Sequence, residues 1–245
     1  MERKVYLWGD SIGKGVVYDE QRARYCLTQD RCTALLARAG IAVDSHARMG
    51  ATLRDGYADF CQTETQSGGV AVIEFGGNDC DLDWQAVSEH PEVFHDGRVP
   101  LAEFEALLAQ FIAEARQRAL TPVLVTPPPL LSQRYFAWVS RGRDAERIRQ
   151  YLGDVEHIYR WQERYAQAVR EAAWQAHAPL MDMRQVFLAQ PHLPELICLD
   201  GIHPAPQAHA LMARAVLAWL PGALPKAPSG GGSGRCPTRQ ACAMQ

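Results

Sequence analysis

The chain has 245 residues, 47% hydrophobic and 22% charged, with a formal net charge of -3. That composition can bury a full core and excludes a disordered or fibrous chain. The near-neutral balance, with Lys and Arg scattered, offers no basic field for nucleic acid or acidic lipid, and no stretch is apolar enough to span a bilayer. Met1-Glu2-Arg3-Lys4 runs straight into a strand-like segment without the apolar length of a secretory leader. The seven cysteines are irregularly spaced with no Cys-x-x-Cys pair, which reads as reduced thiols in a cytoplasmic protein.

In chain order, short β-rich runs at residues 4–8, 41–45, 70–75, 122–126 and 179–183 alternate with amphipathic stretches, the pattern of a parallel sheet covered on both faces. Leu101, Phe104, Leu107, Leu108, Phe111, Ile112 and Ala115 share one helical face, and Leu211, Met212, Ala215, Val216 and Trp219 share another. Asp154 is placed as the N-cap of a long helix that carries Ile158, Trp161, Tyr165, Ala168 and Val169 toward the sheet. Two segments, residues 80–100 and 127–153, interrupt the alternation after the third and fourth strands, at the edge where open α/β sheets bind ligands. The expected organisation is one catalytic domain over residues 1–220 and a flexible Gly-, Ser- and Pro-rich tail over 221–245.

The first strand breaks at Gly9-Asp10-Ser11, which holds a hydroxyl above the sheet edge next to a helix N-terminus. Alone, that is also ordinary turn chemistry. Near the far end, Asp200-Gly201-Ile202-His203-Pro204 sets a carboxylate three residues before an imidazole, so Asp200 can orient His203 and His203 can serve as base toward Ser11. The same loop also reads as a helix-leading turn with Asp200 as a local cap. The third strand ends in Gly76-Gly77-Asn78-Asp79, where the Asn78 amide can face a developing oxyanion, and Gly50 offers a further backbone N–H.

Other patterns fail on their own residues. A phosphate loop at residues 9–15 has Trp8 in place of its first glycine and Gly15 in place of Ser or Thr. Asp79, Asp81 and Asp83 alternate like a calcium loop, but Trp84 replaces the turn glycine and His90 the bidentate glutamate, so no metal is expected. His46 is a rival base, read as structural or substrate-facing, and His209 reads as a surface or capping residue.

Gly9-Asp10-Ser11, Gly50, Gly76-Gly77-Asn78-Asp79 and Asp200-Gly201-Ile202-His203-Pro204, in that order, resemble the blocks of the SGNH, or GDSL-type, hydrolases, across residues 4 to about 220. Ile12 stands where the family name has leucine. The resemblance implies a three-layer α/β/α, flavodoxin-like fold with a five-stranded parallel sheet. It also implies Ser11 as nucleophile, His203 as base, Asp200 as its orienter, and the Ser11 and Gly50 N–H groups with Asn78 as the oxyanion hole. The expected function is cofactor-free hydrolysis of a small-molecule ester with a small acyl group, of a carbohydrate among other options. Acyl transfer, thioester or lipid hydrolysis and a non-catalytic binding module remain alternatives, and oligomeric state stays open. Asp79, Trp84, Arg134 and Tyr135 are candidate substrate contacts. The aromatic residues are read equally as a satellite core under the long loops, and Arg134, Arg141 or Arg143 as a selector of anionic substrates.

Overall fold

The computed structural model describes residues 3–223. Five parallel strands, β1 (Val5–Gly9), β4 (Val43–Ser45), β5 (Val70–Glu74), β6 (Thr121–Val125) and β7 (Leu180–Met181), form one sheet in the order β4-β1-β5-β6-β7. This is the expected three-layer α/β architecture. The strand order reverses at β1, so the chain leaves β1 and β5 on neighbouring sites at the sheet's carboxyl edge, where a crevice opens.

One face carries Tyr6, Trp8, Ala71, Ile73 and Leu124, alternate positions of three strands. They pack against α3 (Leu53–Gln62), α5 (Leu101–Gln117) and α8 (His157–Gln175), with Phe60, Phe104, Leu108, Phe111 and Tyr165 in the contact. The opposite face meets α2 (Cys32–Arg38) and α10 (Pro206–Ala223) less completely. Val5, Val72 and Val125 on that face keep partial exposure around an apolar void of about 120 Å³.

The two long interruptions fold into short helices. Residues 80–100 hold α4 (Trp84–Glu89), capped by Asp83, and residues 127–153 hold α6 (Ser132–Val139) and α7 (Ala145–Leu152). Together with α8 they enclose a second apolar cluster containing Leu82, Trp84, Val87, Leu130, Tyr135, Phe136 and Ile148. After β7, α9 (Met183–Leu188) starts on Asp182, which caps it, so the fifth strand is shorter than the expected run.

Two features differ from the sequence reading. A β-hairpin, β2 (Val16–Asp19) with β3 (Arg24–Leu27), follows the one-turn helix α1 (Ser11–Lys14). Asp154 does not cap α8: Gly153 at φ +72° ends α7, Asp154 pairs with Arg160 at 2.8 Å, and the helix begins at His157. Among the described residues no helix is long and apolar enough to cross a membrane, and Cys26, Cys32, Cys61, Cys80 and Cys198 are free. Helix α10 runs past the expected domain end to Ala223; the rest of the expected tail, with Cys236 and Cys242, lies outside the described residues.

Candidate active site

Ser11 opens α1, directly after β1, because Gly9 lets the chain turn against the next strand. A Cβ on Gly9 would lie 2.5 Å from Glu74 Oε2. Asp10 caps the turn, its Oδ1 accepting from the Ile12 N–H at 2.8 Å, and Gly15 at φ +88° closes it. From the other end of the chain, Asp200 and His203 sit on a loop tied by the Ile197–Pro204 bridge and by the Cys198 N–H donating to His203 O at 2.8 Å. Gly201 takes φ +82°, and a Cβ there would lie 2.5 Å from Tyr135 N.

The loop brings three side chains into line. His203 Nε2 lies 2.9 Å from Ser11 Oγ, and His203 Nδ1 lies 2.5 Å from Asp200 Oδ2. Asp200 Oδ1 accepts from the Ile202 and His203 N–H groups, both at 3.1 Å. All three residues are buried. Burial raises the Asp200 pKa, but the His203 hydrogen bond and charge and the two backbone donors outweigh it, and the net direction is below the usual carboxylate range. This geometry lets Asp200 fix the imidazole while its other nitrogen receives the serine proton.

On the opposite side, Asn78 borders the same crevice. Its Nδ2 donates to Asp10 Oδ2 and Ala51 O, both at 3.1 Å, so the amide is held in place rather than standing free. Gly50 takes φ +73°. Among the described residues no acceptor takes the Ser11 or Gly50 N–H. A pocket of about 50 Å³ opens beside Ser11 and His203, walled by Leu82, Trp84, Leu130, Tyr135, Ile158 and Ile202.

The model of the GDSL-like lipase/acylhydrolase family matches residues 7–211. The chain belongs to that family. Solved structures of similar fold include a lipase/acylhydrolase from Enterococcus faecalis (21% identity, 90% of this chain and 96% of the other, TM-score 0.60). An α/β hydrolase from the metagenome of Lake Arreo, Spain, is 22% identical over 88% of this chain and 94% of its own, with a TM-score of 0.59. A variant acetyl xylan esterase from Geobacillus stearothermophilus is 17% identical over 92% and 97%, with a TM-score of 0.58. No curated protein sequence matches the chain.

In this GDSL-like hydrolase the other candidate residues divide. Trp84 and Tyr135 line the pocket and also belong to the apolar cluster beneath the long loops. Asp79 is not a pocket residue. It is fully buried, accepting from Leu53 N–H at 2.7 Å and Gly76 N–H at 2.9 Å, and burial lifts its pKa to about 7. Arg134 also turns away, donating to Pro194 O and Ile197 O and so bracing the segment before Asp200. Arg141 lies on the Trp138 ring and Arg143 donates to Val139 O; neither lines the pocket.

His46 stacks on Trp8 and pairs with Asp59 at 2.9 Å, a structural role. His209 is not a surface residue: it is fully buried with both ring nitrogens unpartnered among the described residues, and burial, then the charge of His203, lower its pKa to about 4. One contact was missed. Tyr25 of the hairpin packs its ring 5.0 Å from that of His203, and Tyr18 and Trp138 brace it. The alternating runs around a polar turn at residues 20–23 are the signal for that hairpin.

Proposed function

We propose that the protein is a carboxylic-ester hydrolase that acts through an acyl-enzyme on Ser11. The observation that carries this reading is the hydrogen-bonded line Ser11 Oγ, His203 Nε2, His203 Nδ1, Asp200 Oδ2. His203 takes the Ser11 proton as Oγ bonds to the ester carbonyl carbon, and the carbonyl π electrons move to the oxygen. The oxyanion faces the Ser11 and Gly50 N–H groups, and Asn78 joins them by turning a hydrogen away from Ala51 or Asp10. Collapse breaks the ester C–O bond, and the leaving alcohol takes the proton from His203. Water then repeats the sequence on the acyl-enzyme, and no cofactor enters. The pocket of about 50 Å³ beside the serine supports a small group next to the scissile bond, such as an acetyl-sized acyl.

The test is p-nitrophenyl acetate turnover. Ser11→Ala is expected to lower it by about 10^4- to 10^6-fold, the scale seen when a catalytic unit is broken. Equal rates in wild type and variant overturn the reading. A series from acetate to octanoate esters is expected to fall off with chain length.

A further inference from the structure

Asp81 lines the pocket beside Ser11 and takes no part in the hydrolytic steps above. Its Oδ1 accepts three hydrogen bonds, from Leu82 N–H at 3.0 Å, Trp84 Nε1–H at 2.8 Å and Tyr135 O–H at 2.6 Å. Three donors on one oxygen fix the carboxyl plane, because Trp84 and Tyr135 are themselves held edge to face at 6.0 Å in the apolar cluster. Oδ2 then receives no donor among the described residues, and Asp81 retains partial exposure. A pocket with apolar walls thus presents one oriented, water-accessible oxygen, and a substrate that shuts water out without pairing with it meets the cost of an unpaired acceptor. Among the described residues no Lys or Arg lines the pocket, whose carboxyl and imidazole side chains are Asp10, Asp81, His157 and His203.

We propose that Asp81 is a specificity-determining residue whose Oδ2 pairs with a hydroxyl on the part of the substrate that fills this pocket. The inference rests on the ester-hydrolase reading and names its substrate class, an ester carrying a hydroxyl close to the scissile bond. Burial raises the Asp81 pKa against its three hydrogen bonds. A hydroxyl, both donor and acceptor, suits the carboxyl in either protonation state.

Two matched pairs of esters test this, and they separate the two halves of the substrate. One is p-nitrophenyl butyrate against p-nitrophenyl 3-hydroxybutyrate; the other is propyl acetate against 3-hydroxypropyl acetate. Wild type is expected to favour the hydroxylated member of one pair by about tenfold or more in kcat/KM. The pair that shows the preference identifies whether the acyl or the alcohol half occupies the pocket. Asp81→Asn keeps the Oδ1 acceptor but replaces Oδ2 with a neutral amide, and is expected to lower that ratio about fivefold. Turnover with no hydroxyl preference in either wild-type pair overturns the proposal, as does a ratio unchanged in a folded Asp81→Asn. Lack of turnover of all four esters overturns the hydrolase reading itself.

Discussion

Glu74 ends β5 directly beneath the nucleophile turn, paired in register with Gly9 on one side and Val125 on the other. Its Oε2 accepts from the Asp10 and Gly13 N–H groups, both at 3.2 Å, which is why neither Gly9 nor Gly13 has room for a Cβ. Oε1 is buried without a partner among the described residues. Burial, then the charge of Asp10, push the Glu74 pKa well above its ordinary value of 4.5, and burial lifts Asp10 from 3.8 to about 6. For acids raised in this way, the stability they contribute is complete below the unfolded values and is lost as pH rises through the folded ones. Asp200, lowered instead, contributes stability above its ordinary value of 3.8 that disappears as pH falls through its depressed one. The melting temperature is therefore expected to fall between pH 5 and pH 8, and Glu74→Gln, which keeps the Oε acceptor for the turn, is expected to flatten that slope. Melts at four pH values check this; identical slopes would contradict it. The carboxyl was legible only as part of a strand run, since its partners come from the turn and helix that follow the neighbouring strand.

At the scale of elements, helix α5 shows what a local pattern carries. Its predicted apolar stripe supplies Phe104, Leu108, Phe111, Ile112 and Ala115 to the core because periodicity alone sets which face is apolar. The start of α8 and the hairpin β2–β3 were not legible in the same way. Competing turn signals around Gly153 and contacts to Trp138 and His203 decide them. Helix α3 shows packing overriding propensity. Ala in place of Gly56 gains about 1 kcal/mol of helix propensity. Its Cβ, however, would stand 2.1 Å from Phe75 Cζ, a buried ring leading into Gly76-Gly77-Asn78. Overpacking costs about 1–3 kcal/mol and wins at so short a separation. Gly56→Ala is expected to be net destabilising by up to about 2 kcal/mol in urea unfolding; a variant as stable as wild type would show that Phe75 moves freely.

Across the whole molecule, the two faces of the sheet differ in quality. The α3–α5–α8 face is filled with aromatic rings, whereas the α2–α10 face retains the void of about 120 Å³ beside Val72 and Val125. Val125→Ile adds one methylene where there is room, and is expected to raise stability by about 0.5–1 kcal/mol; a loss in thermal unfolding would mean the void does not accept it. By itself the sequence determined the alternating α/β pattern, the parallel sheet and the four ordered motifs at strand ends, because periodicity and turn chemistry are properties of neighbouring residues. Only the tertiary structure decided what those motifs meet: His203 lies 192 positions from Ser11 yet 2.9 Å from its hydroxyl. It likewise turned Asp79 inward and Asp81 toward the pocket, two polar side chains in loops. No periodicity governs such side chains; their direction follows from which backbone donors and apolar walls the fold brings beside them.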